Sequence, residues 1–132
     1  MRRDVYLGYL KLNGKLHVKT LLEANNYAAN LCDLGRYAEA KSLLRKTIPV
    51  ALRVLGDSHD LTLGMRRHYA MVLYRNHGAT LDDLREAVTT LEDTQRIARR
   101  VLGGAHPLVV NIERALQVAR ATLQFRETPP GR

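Results

Sequence analysis

The 132-residue chain is 45% apolar and carries 21 basic against 13 acidic residues, a formal net charge of +8. That is enough apolar material for one domain with a real core, and nothing approaches the roughly eighteen consecutive apolar residues of a membrane span. A lone cysteine, Cys32, excludes an intrachain disulfide and a thiolate metal cluster and fits a reducing, cytoplasmic setting, while the positive balance favours acidic partners in general.

The N-terminal "MRRDVYLGYLKLNGK" is basic, but Tyr6, Gly8, Tyr9 and Lys11 interrupt any apolar core, so it does not read as a signal peptide. Leu21, Ala24, Tyr27, Ala28, Leu31 and Leu34 then recur at helical spacing. Gly35 supplies the left-handed backbone that ends such a helix. Tyr37, Ala40, Leu43, Leu44, Thr47 and Ala51 mark a second helix that runs to Leu55 and stops at Gly56. Pro49 lies inside it, removing one hydrogen bond and crowding the carbonyl of Arg45, so a kink rather than an end is expected there. His68–Arg75 and Leu84–Leu102 repeat the pair. His106-Pro107 opens a last helix with Pro in the tolerated first turn and the stripe Val109, Ile112, Leu116, Ala119 and Leu123. No run alternates for long between hairpin turns, so strand signals are weak. The end, "ETPPGR", reads as a disordered tail.

The elements form a repeat. "RVLGDSHDLTL" (53–63) and "RRVLGGAHPLVV" (99–110) share Val-Leu-Gly, two small or polar residues, a His and an apolar run, with His59 and His106 47 residues apart. A weaker copy, "LNGKLHVKTL" (12–21), aligns Gly14, His17, Thr20 and Leu21 with Gly56, His59, Thr62 and Leu63 at a spacing of 42. "NYAANL" and "HYAMVL" keep the 42, whereas Ala40/Ala87 and Leu44/Leu91 stand 47 apart. The two spacings agree if the second unit carries a five-residue insertion near Ala79–Leu84.

Asn25, Asn26, Ala28 and Leu31 in the first helix, Gly35, Tyr37, Ala40 and Leu44 around the turn, and Leu55, Gly56 and His59 at the close resemble tetratricopeptide repeats. Ala70, Leu73, Ala87, Leu91, Leu102, Gly103, His106 and Pro107 extend the pattern into the second unit, and the 42-residue variety of kinesin light chains is the nearest match. The resemblance spans roughly residues 9–123 and implies an all-α fold: a helical-hairpin, TPR-like solenoid of about five helices in a right-handed superhelical stack. It divides a single domain, 1–125, into a half repeat 1–14, a repeat 15–56, a repeat 57–103 with the insertion, and a terminal helix 106–125, leaving 126–132 as tail. Val5–Leu12 matches the end of a second helix whose first helix is missing. The chain departs from the family at His68, where Asn is usual, in the insertion, and in lacking the heptad region of kinesin light chains. The repeated loop becomes the corner between helix pairs, with Gly56 and Gly103 turning the chain and each His just before the next helix.

In such repeats the first helix of each pair lines the inner, ligand-facing surface. The resemblance places Leu22, Asn25, Asn26, Ala29 and Asp33 there from the first helix, Gly64, Arg67, His68, Met71 and Arg75 from the second unit, and Asn111, Arg114, Ala115 and Val118 from the last. Asn25 and Asn26 offer donors and acceptors for the backbone of an extended peptide. Arg67, Arg75 and Arg114 suit carboxylates, over an apolar floor of Met71 and Ala29. The implied function is a non-catalytic protein–protein interaction module or scaffold that takes an extended, acidic peptide or partner protein, with no cofactor and no membrane.

Enzyme chemistry finds little to work with. His17, His59 and His106 occupy equivalent loop positions that stacking separates, and His68 and His77, nine apart, do not share a helical face for metal ligation. Asp82, Asp83 and Glu86 read as acids in the first turn of a helix. Gly103-Gly104 lacks the Lys-Ser/Thr and preceding strand of a phosphate loop, and Cys32 has no base nearby in sequence. RNA binding is an alternative that the charge permits, but the six Tyr, one Phe and no Trp leave few rings for stacking once Tyr27, Tyr37 and Tyr69 enter the core. Self-assembly is another, through an apolar edge of Tyr6, Tyr9, Leu10 and Leu12.

Overall fold

The computed structural model describes residues 18–128. The half repeat 1–14, with the self-association residues Tyr6, Tyr9, Leu10 and Leu12, lies outside the described residues, as do His17 and residues 129–132. Five α-helices make up the described chain: α1 Val18–Asp33, α2 Tyr37–Leu55, α3 Asp60–Arg75, α4 Leu81–Leu102 and α5 Pro107–Glu127. The fold is all-α and solenoid-like, as the repeat predicts. Each helix packs on the next in sequence, and α3 also packs on both α1 and α5, whereas α2 and α4 make no such contact with each other.

The corners show why the repeated loop has its composition. Gly35, Gly56 and Gly103 all adopt positive φ, at 76°, 87° and 86°, where a side chain would be strained. At the first of them, Arg36 N–H bonds Leu31 O at 2.9 Å and Gly35 N–H bonds Cys32 O at 3.0 Å, the paired bonds of a Schellman motif. Leu34 belongs to this turn rather than to the core stripe expected of it, and is 63% exposed. The repeated His is a helix cap. His59 Nδ1 accepts Leu61 N–H at 3.1 Å and His106 Nδ1 accepts Leu108 N–H at 3.1 Å, each satisfying a donor that the first helical turn leaves free. His59 Nδ1 also lies 3.0 Å from Asp60 Oδ1. One nitrogen cannot both accept from Leu61 and donate to Asp60, and the cap recurs at His106, which Pro107 follows; the capping geometry is the common element.

With His59 as cap, α3 starts at Asp60, eight residues before the aligned stretch that begins at His68. The insertion also resolves into parts. The α1–α2 turn takes three residues and the α3–α4 turn five, and α2 has 19 residues where α4 has 22. Two of the extra residues therefore enter the loop and three lengthen α4 at its start. That start is well made: Thr80 Oγ1 accepts Asp83 N–H at 3.1 Å, and Asp83 Oδ2 accepts Thr80 N–H at 3.0 Å, a complete capping box. The bond from Thr80 holds the Asp83 carboxyl below its usual range.

Leu21, Leu31, Leu44, Leu63, Met65, Leu84, Leu91, Ile112 and Leu116 fill the core. Ala28, Ala40, Ala70, Ala87, Ala98 and Ala119 are fully buried beside them, small enough to let helices approach closely. Glu86 does not simply decorate a helix start. It accepts the Tyr69 hydroxyl at 2.6 Å, while that hydroxyl accepts from Arg45 Nε at 3.2 Å, so one buried tyrosine ties α2, α3 and α4 together. Helix α2 runs unbroken through Pro49. Helix α5 continues through Arg126 and Glu127, into the segment expected as tail, and Glu127 accepts from Arg85 of α4 at 3.3 Å. No described helix is long and apolar enough to cross a membrane.

Candidate functional site

The contact between α1 and α3 gathers most of the polar residues expected on the inner face. Asn25 is buried, 8% exposed, and its Oδ1 lies 2.7 Å from His68 Nδ1. A carboxamide oxygen can only accept, so Nδ1 carries the hydrogen and Nε2 keeps the lone pair. The Asn25 acceptor expected for a peptide backbone is thus spent on His68. Burial, then the neighbouring Arg67 charge, pushes the His68 pKa down to about 4 against a weaker opposing pull from Asp33. His68 is therefore neutral at pH 7.

Arg67 sits next to it in a setting unusual for a cation. Its Nη1 donates to Met71 Sδ at 3.2 Å, and its Nη2 lies 3.5 Å from His68 Nε2. Its Nε is buried with no hydrogen-bond partner. A thioether is a weak acceptor, and 3.5 Å is long for a hydrogen bond. No carboxylate pairs with Arg67 among the described residues. Burial pulls its pKa below the ordinary value, yet a guanidinium remains charged at any physiological pH.

Two turns along α3, Arg75 reaches back to α1, with Nη1 3.4 Å from Asp33 Oδ1 and 3.6 Å from the Cys32 sulfur. Burial works against its charge, but Cys32, Asp33 and Tyr37 together hold its pKa above the usual value. Burial also raises the Cys32 thiol, which keeps it protonated and poorly nucleophilic. Tyr74, one of the tyrosines outside the core set of Tyr27, Tyr37 and Tyr69, is half-buried, and burial raises its hydroxyl pKa against the pull of Arg75 and Arg67. Asn26 is exposed and Ala29 and Met71 are half-buried on the same two helices.

The last helix contributes differently. Arg114 is exposed and stands apart from the α1–α3 cluster; it lines an open cleft of about 520 Å³ with Arg99, Gly104, Val110 and Gln117. The Glu113 carboxylate in that cleft is already paired with Arg99 at 2.8 Å. Ala115, expected on the inner face, is instead core at 4% exposure, because it faces the helix that its small side chain lets approach. Sequence reasoning missed the Asn25–His68 bond, the Asp33–Arg75 pair and the lone charge of Arg67. The first two join residues 43 and 42 apart, within one residue of the 42-residue repeat spacing, which is the signal that could have found them.

Among the described residues no group of three or more His, Cys, Asp or Glu could hold a metal ion. The tetratricopeptide repeat family matches residues 24–60, covering most of α1, all of α2 and the corner into α3. No curated protein and no solved structure matches the chain. The chain thus carries a tetratricopeptide-like repeat over residues 24–60, and α3 and α4 repeat its helix pair.

Proposed function

We infer that this is a non-catalytic interaction module, a kinesin-light-chain-like scaffold of the cytoplasm, that takes an extended acidic peptide or partner segment on the face of α1, α3 and α5. The observation that carries this reading is Arg67: a partly desolvated guanidinium with a buried Nε, a sulfur and an imidazole for neighbours, and no acid. Such a charge is costly alone, and a carboxylate bonded to it offsets the cost through charge-assisted hydrogen bonds.

Three further features support the choice of face. The first helices of successive pairs pack side by side, while α2 and α4 stand further apart and are bridged by the Lys41–Asp83 ion pair at 3.7 Å, the arrangement expected when the first helices lie on the inside of a bend. Arg75 is shared with Asp33 across an exposed 3.4 Å pair, and such pairs are weak enough for a ligand carboxylate to compete. Arg114, equivalent to Arg67 one unit further on, extends the basic track onto α5. Asn26, Ala29 and Met71 line the path between, and Asn25 and His68 position Arg67 from beneath.

NMR mapping tests the reading. An acetylated, amidated hexa-aspartate should perturb Asn26, Ala29, Arg67, Met71 and Arg75 at near-physiological salt, and a single-stranded RNA of equal charge should not do so selectively. Perturbations centred on the α2 and α4 faces, around Arg53, Arg96 and Arg100, would refute it.

A further inference from the structure

The geometry points to a proton-coupled carboxylate site between Arg67 and His68: an anionic group that bonds the Arg67 guanidinium draws a proton from solvent onto His68 Nε2, so that binding tightens as the pH falls below neutral. It rests on the acidic-peptide reading of this face and adds how that site is regulated.

The argument starts from Asn25. Its buried Oδ1 takes the Nδ1 hydrogen of His68 at 2.7 Å, which fixes both the ring orientation and the tautomer. The lone pair on Nε2 then faces Arg67 Nη2 at 3.5 Å. A carboxylate that satisfies Arg67 brings an oxygen toward the same nitrogen. Two lone pairs facing one another repel, whereas Nε2–H donates to a carboxylate oxygen. The ligand therefore favours the imidazolium, and the proton it needs comes from water with no other bond made or broken.

The surroundings leave His68 free to respond. On its own helix Arg67 is the charge that acts on it. From α1 it faces Asn25, which is neutral, and Asp33, already shared with Arg75. No charged group of α2, α4 or α5 acts on it among the described residues. Burial and Arg67 keep the free imidazole neutral down to about pH 4, so the uptake occurs on binding rather than before it. An anion within about 4–6 Å favours the charged form. If it restores the ordinary histidine value, linkage gives roughly tenfold tighter binding at pH 5.5 than at pH 7.5. Aspartate side chains stay ionised at both.

The experiment is calorimetric titration of hexa-aspartate into the protein at pH 5.5 and 7.5, in two buffers of different ionisation enthalpy, with NMR of the His68 ring in the free and saturated protein. His68→Gln keeps a donor for Asn25 but cannot take up a proton. The expected result is about tenfold tighter binding at pH 5.5, a binding enthalpy at pH 5.5 that depends on the buffer, and a His68 titration moved toward neutrality by the peptide. Whatever its affinity at pH 7.5, His68→Gln should lose most of the gain between pH 7.5 and pH 5.5. A gain that persists in His68→Gln belongs to general charge and overturns the inference, as does a His68 titration that the peptide leaves unmoved. If His68→Gln does not fold, the NMR titration of the parent protein decides alone. Absence of binding at both pH values removes the peptide face and this inference with it. Binding that is indifferent to pH removes the inference only.

Discussion

His68 makes a prediction about stability as well as binding. Its folded pKa is depressed, from an ordinary 6.5 to about 4, so the unfolded chain binds more protons between those values. The stabilisation from keeping His68 neutral is full above pH 6.5 and is lost as the pH falls toward 4. At one pKa unit per 1.36 kcal/mol the loss approaches about 3 kcal/mol. Urea unfolding at pH 7.5 and 4.5 should show that fall in the parent and a much flatter response in His68→Gln. Equal slopes would mean that His68 is not desolvated in the native state. The capping histidines predict something simpler. His59→Ala or His106→Ala removes an acceptor from a first-turn N–H and should cost about 0.5–2 kcal/mol each. That these residues mattered was legible from their recurrence 47 residues apart, but their role was not, because histidine is not among the usual capping residues. Asn25 shows the opposite failure. Its helical register put it on the inner, ligand-facing surface, whereas it is buried against α3, and register says nothing of a hydrogen bond to a residue 43 positions away.

At the scale of the helix, most boundaries were legible because glycine marks them. Gly35, Gly56 and Gly103 are the three glycines of positive φ among the described residues, and each ends a helix where its sequence position says it should. Starts were harder to read. Helix α3 begins at a histidine cap, and α4 begins three residues before its aligned stretch, at a capping box whose Thr80 and Asp83 lay within the insertion. Pro49 is the clearest local conflict. It sits in the middle of α2, exposed, where it deprives the Arg45 carbonyl of its helical donor, while the equivalent Arg96 leaves α4 uninterrupted. Pro49→Ala should therefore stabilise the protein by about 1–3 kcal/mol, read as a raised urea midpoint. A destabilised variant would mean that the proline holds a bend the packing of α2 requires. Leu91→Ala, in the buried stripe of α4, should cost about 2–5 kcal/mol.

For the whole molecule, stability comes from stacking rather than from any one helix pair, since each pair buries its apolar stripe only against a neighbour. Helix α5 covers α3 and α4 with Val109, Ile112, Ala115, Leu116 and Ala119, all buried. A chain ending at Gly103 should unfold at lower urea and with a shallower dependence on it, because less surface is hidden. The overall arrangement was legible in the repeat, which dictates both the helix pairs and their order. The site was legible as a surface but not as chemistry: +8 of net charge says only that anions are attracted, and it is burial that separates Arg67 from the solvated arginines. That difference can be measured directly, by fluorescence anisotropy of labelled hexa-aspartate at near-physiological salt with the parent, Arg67→Ala and Arg100→Ala. Each variant removes one positive charge, from the half-buried position on α3 or from the exposed end of α4. The account predicts a loss of about tenfold or more in Arg67→Ala, where a charge-assisted bond worth on the order of 1.5–3 kcal/mol disappears, and affinity close to the parent's in Arg100→Ala. Equal losses in the two variants would contradict it, and would reduce the peptide face to general attraction by a basic protein.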